Sequence, residues 1–103
     1  MDKYTEIHEK LDFLLEDHGV KFDDSRLDKQ TLHSLHVKAD KLLKAHKCTI
    51  PEGDESVGAL QPKLNRLISG HGKTFDASDL DPESLNTVVE KLTVLVGAHG
   101  EHS

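Results

Sequence analysis

Residues 10–47, KLDFLLEDHGVKFDDSRLDKQTLHSLHVKADKLLKAHK, and residues 63–100, KLNRLISGHGKTFDASDLDPESLNTVVEKLTVLVGAHG, lie over one another without a gap at an offset of 53. Identities include Leu11/Leu64, Leu14/Leu67, His18/His71, Gly19/Gly72, Phe22/Phe75, Leu32/Leu85, Leu42/Leu95 and His46/His99. A repeat of this length is one supersecondary unit that cannot bury its apolar face alone, so the copies are expected to close around a shared core.

Each copy reads as helix, loop, helix. Tyr4, Ile7, Leu11, Leu14 and Leu15 recur at intervals of three and four, and Val57, Leu60, Leu64, Leu67 and Ile68 occupy the matching places, which is one apolar helical stripe per copy. Leu32, Leu35, Ala39 and Leu42, mirrored by Leu85, Val88, Leu92 and Leu95, mark the second helices. The expectation is an all-α, four-helix bundle-like domain made of two tandem pseudo-symmetric helix-loop-helix repeats. A single domain of 1–103 holds repeat 1 over 4–47, a linker over 48–56 with Pro51 and Gly53, and repeat 2 over 57–100. Pro62 falls inside the third stripe, where it lacks a backbone donor and predicts a short or kinked first turn.

The connection G-x-x-F-D-x-S-x-L-D occurs twice, so its shape is specified: Gly19, Phe22, Asp23 and Asp28 in one copy, Gly72, Phe75, Asp76 and Asp81 in the other. Gly19 and Gly72 suit the left-handed residue that closes a helix. The phenylalanines are expected to plug the bundle, with Asp23 and Asp76 bonding turn amides. Asp81 followed by Pro82 predicts a helix N-cap and first position, and Asp28 is assigned the same capping role. A calcium loop of EF-hand type fails on spacing, because Leu80 and Pro82 fall at ligand positions and no glutamate closes the loop.

Composition bounds the function. The net charge of −6 is uneven, with ten acidic and nine basic side chains in residues 1–50 against nine and four in 51–103. No lysine or arginine block is present, which argues against direct nucleic-acid binding. No run reaches membrane-span length. The single cysteine, Cys48, and a charged amino terminus without a signal-peptide core point to a cytoplasmic or otherwise intracellular protein. A monomer without cofactors is expected.

Chemistry-bearing motifs are sparse. There is no nucleophile elbow, phosphate loop, C-x-x-C or H-E-x-x-H, so no catalytic residue is assigned and the chain is not expected to be an enzyme. The leading expectation is a small protein-binding or regulatory module, its partner another protein, docking on His33, His36, Val37, Lys41 and Lys44 of the second helix. An acidic decoy or inhibitor of a basic nucleic-acid-binding protein is the alternative. Metal or small-ligand binding through the duplicated His18, His46, His71 and His99 is the third. In an antiparallel helix pair the ends carrying His18 and His46 lie at opposite poles, so within one copy these two are not expected to meet.

Overall fold

The computed structural model describes residues 3–22, 25–75 and 79–100, with His99 and Gly100 described by backbone alone. Four helices form: α1 (Lys3–Asp17), α2 (Leu32–Ala45), α3 (Val57–Gly70) and α4 (Leu85–Gly100). No strand is present among the described residues, and none of these helices is long and apolar enough to cross a membrane. Each helix packs on its two neighbours in the cyclic order α1, α2, α3, α4, while the backbones of the diagonal pairs stay apart among the described residues.

The stripes read from the sequence are the core. Ile7, Leu11, Leu14 and Leu15 meet Leu35, Ala39, Leu42 and Leu43, and Leu60, Leu64, Leu67 and Ile68 meet Val88, Leu92 and Leu95 in one buried cluster. Phe13, by contrast, stands 43% exposed.

The sense of the helices departs from the antiparallel expectation. Side-chain pairs between α1 and α2 keep a nearly constant separation along the chain: His8 with Ser34 at 3.0 Å near the helix starts, Asp12 with Lys38 at 2.6 Å midway, and His18 with His46 at the ends, their ring centroids 4.1 Å apart. Antiparallel helices would show separations that shrink along the pair. From α2 to α3, His36 meets Lys63 and His46 meets His71. From α3 to α4, Gln61 reaches the Pro82 carbonyl near the starts, and Leu67 and Leu95 share a layer at the far end. All four helices therefore run the same way. The connections between successive helices must span the length of a helix. Roughly a dozen residues extend up to about 40 Å, ample for a helix of about 22 Å.

Helix starts also differ from the sequence reading. Thr31, not Asp28, caps α2 by accepting the Ser34 N–H, and Ser56 caps α3 by accepting from Ala59. Asp28 and Asp81 instead organise the turn before each helix: their carboxylates accept the Gln30 and Glu83 amides, and their carbonyls accept the Thr31 and Thr87 hydroxyls. An aspartate carboxylate closes an Asx turn on the amide two positions on more readily than it reaches a helix three residues further. Pro82 accordingly precedes α4 instead of opening it. α3 runs as one element through Pro62. Phe22 and Phe75 are half-buried, with Phe75 packed on the core and the Lys41 ammonium 5.7 Å from the Phe22 ring. Asp23 and Asp76 lie outside the described residues.

Three helix ends share one hydrogen-bond pattern. The Gly19 and Val20 amides return to Glu16 and Leu15, those of Lys47 and Cys48 to Lys44 and Leu43, and those of Gly72 and Lys73 to Ser69 and Ile68. This is the Schellman motif, whose closing residue takes a left-handed backbone. Gly19 and Gly72 do so at φ of 70° and 72°, but Lys47 is forced to 59° with a side chain attached. Lys47→Gly is expected to stabilise the fold by about 0.5–1 kcal/mol, read as a higher urea midpoint with an unchanged slope.

Two buried histidines set an acid limit. His8 Nε2–H donates to the Lys29 carbonyl at 2.9 Å and to Ser34 Oγ at 3.0 Å. His36 donates from Nε2 to the Ser56 carbonyl and accepts the Lys63 ammonium at Nδ1. Burial holds the pKa of both below the ordinary histidine value. The unfolded chain therefore takes up protons that the folded one refuses, so their contribution is complete above about pH 6.5 and is lost as pH falls below it. In chelator-treated protein, the unfolding free energy should decline below that pH, and His8→Asn should make the decline shallower.

Candidate metal centre

Within each helix the inner face repeats one spacing. Ile7, Leu11, Leu14 and Leu15 in α1 with His18 just past its end match Leu35, Ala39, Leu42 and Leu43 in α2 with His46, and Leu60, Leu64, Leu67 and Ile68 in α3 with His71. Residues four apart lie one above the other on a helix. Leu14, Leu42 and Leu67 are buried, so the histidine following each by four stands over the same inner face. Parallel helices then bring these histidines to one pole.

The result is a cluster of three imidazoles from three helices. One ligand atom of each of His18, His46 and His71 lies within 4.8 Å of the other two. Ring centroids are 4.1 Å apart for His18 and His46, 4.6 Å for His46 and His71, and 5.9 Å for His18 and His71. Leu14, Leu42, Leu67 and Leu95 form an apolar floor beneath them. The three histidines are half-buried, open toward the pole and closed below.

Their ring atoms are prepared for a cation. His18 Nδ1–H donates to the Leu14 carbonyl at 2.7 Å. Such a backbone partner commonly orients a metal-bound imidazole. Nε2 of His46 is screened from solvent. A zinc ion with nitrogens at about 2.05 Å needs them about 3.3 Å apart, so binding requires inward side-chain shifts of roughly 1 Å.

The backbone adds to this. Each helix presents about half a negative charge at its C-terminus, and the parallel arrangement gathers these ends. α1 and α3 have no basic residue in their last turns, and α2 has Lys44 alone. A cation among the capping histidines would relieve the mutual repulsion of the helix ends. The space between rings and floor has no room for a water-sized molecule, far below the roughly 300 Å³ of small-molecule sites. An organic substrate does not fit there.

The other sequence-selected residues fall elsewhere. Cys48 Sγ lies 3.8 Å from the His46 carbonyl and is not part of the ligand cluster. His33 is exposed and paired with Glu55, Lys41 and Lys44 are exposed, and Val37 is half-buried. His36 does not belong to that surface. It is buried and bonded to Ser56 and Lys63, because its position in α2 faces α3. The side chain of His99 lies outside the described residues. Sequence reasoning paired histidines at the offset of 53 and so missed the likeness of α1 to α2. The signal was the shared spacing from Ile7 to His18 and from Leu35 to His46. Comparison of the chain with protein-family models, curated proteins and solved structures finds no match.

Proposed function

We propose that this protein binds a divalent transition-metal ion through His18, His46 and His71. The observation that carries the reading is the convergence of three imidazole ligand atoms, each from a different helix, within 4.8 Å of one another. Imidazole donors suit zinc, copper, nickel and iron, whereas magnesium and calcium call for oxygen. With an apolar floor and little free volume, the ion is held and not offered to a substrate, so the role is sequestration, delivery or stabilisation of the fold. The protein-docking alternative loses support with His36 turned inward.

The test is equilibrium dialysis of full-length, untagged protein against zinc, with bound metal counted by mass spectrometry. One ion per chain is expected. His46→Ala should weaken binding by about tenfold or more, equivalent to about 1.4 kcal/mol, while His33→Ala at the exposed position should leave it unchanged. Equal binding by the wild type and by the triple variant H18A/H46A/H71A would show that zinc is held adventitiously elsewhere.

A further inference from the structure

We propose that the groove between α4 and α1 docks a non-helical, basic segment of a partner protein that carries two apolar side chains two residues apart. This inference is independent of the metal-binding reading and concerns a different face from that of His33, Lys41 and Lys44.

The other three grooves of the ring show what such a groove holds. In each, the segment joining the two helices is pinned before the second helix: His8 bonds the Lys29 carbonyl, His36 that of Ser56, and Gln61 that of Pro82. The same segments lay Val20, then Cys48 and Ile50, then Phe75 against the core. Val20 and Phe22, like Cys48 and Ile50, are two apart in non-helical chain, a spacing that turns both side chains to one side. Beneath them Leu15, Leu43 and Ile68, at matching places in α1, α2 and α3, are no more than 4% exposed.

α4 and α1 pack on each other, but as the last and first helices they are joined by no connection. The α4 counterpart of His8, His36 and Gln61 is Val89, which has no polar group to pin a segment. The counterpart of Leu15, Leu43 and Ile68 is Val96. Both valines are only half-buried. Register places Phe13 on the same groove. Its counterparts are Lys41, 5.7 Å from the Phe22 ring of the first connection, and Arg66, which shares a concavity with Cys48 of the second. Phe13 is the large hydrophobic residue left exposed among the described ones. On the α4 side, Thr93 and Gly97 stand where Asp12 and Glu16 border the first groove, so smaller, uncharged residues line it.

Charge selects the occupant. Glu9, Glu16 and Asp17 are exposed and lie within four residues of Phe13, where side chains on a helix surface are neighbours. Glu16 and Asp17 share a shallow concavity with it. Lys10 is the only cation between residues 9 and 17, so this border is acidic. A twofold contact with a second copy would set the acidic border against itself. Lysine or arginine beside the apolar pair would meet it with opposite charge.

The test pans a phage-displayed library of random dodecamer peptides against full-length, untagged protein. Enriched sequences are expected to carry an apolar pair at i and i+2 flanked by lysine or arginine. A synthetic consensus peptide should perturb amide resonances of residues 10–17 and 89–97 and bind more weakly as salt rises. Phe13→Ala and Thr93→Arg, both at exposed positions, should each weaken it by about tenfold. His33→Ala and H18A/H46A/H71A should bind as the wild type, which separates this groove from the metal centre. An empty selection, or a consensus peptide that both groove variants bind as tightly as the wild type, would overturn the proposal. A wild-type dimer in sedimentation that Phe13→Ala converts to monomer would assign the groove to a second copy and overturn it as well.

Discussion

Saturating zinc is expected to raise the thermal unfolding midpoint of the untagged protein by about 15–30 °C. A ligand that binds only the folded state stabilises it by about 4.1 kcal/mol at a thousandfold excess over its Kd. For a domain of this size, each kcal/mol moves the midpoint by about 4–8 °C. The eight histidines of the unfolded chain also take up some zinc, so the shift falls toward the lower end of that range at millimolar metal. The variant H18A/H46A/H71A should lose the shift. Its midpoint without metal should change little, because the rings are half-buried and stand above the core, not within it. A scanning fluorimetry series over zinc concentration measures both. A shift of the same size in the triple variant would place the stabilising ion away from the cluster.

Leu64→Ala should cost about 2–5 kcal/mol. Leu64 is fully buried in the cluster shared by the four stripes, so its truncation leaves a cavity in close-packed surroundings. Against a total of about 5–15 kcal/mol for natural domains, this change consumes a large part of the stability, and urea denaturation would read it as a lower midpoint. Phe13→Ala, at a side chain 43% exposed, should fall near about 0.5 kcal/mol. If the two cost the same, the core is not centred where the helices place it.

Helix identity and inner face were legible because they depend on local periodicity. The three- and four-residue spacing of Leu11, Leu14 and Leu15, and of Leu64, Leu67 and Ile68, leaves one orientation in which the apolar side chains escape water. The closing glycines were legible for a similar reason, since few residues other than glycine adopt the left-handed backbone of Gly19 and Gly72 without strain. Cap positions were less so: Asp28 and Thr31 both carry capping side chains, and which one meets the helix depends on how the loop arrives. His36 misled because a polar residue beside an apolar stripe reads as surface, whereas α3 supplies Lys63 and the residue before it supplies the Ser56 carbonyl to satisfy the ring inside.

The sequence by itself determined four amphipathic helices, their buried faces, and a histidine near the end of each helix. Only the tertiary structure decided that the helices run in one direction, and with it the candidate site. The connecting segments are long enough to allow either sense, and a stripe of leucines buries equally well against a parallel or an antiparallel neighbour. Contacts between distant residues, such as Asp12 with Lys38 and Lys63 with Asp40, express the choice, and no local pattern encodes them. Once the sense is parallel, His18, His46 and His71 must share a pole, because each ends its own helix at the same height above the same leucine layer.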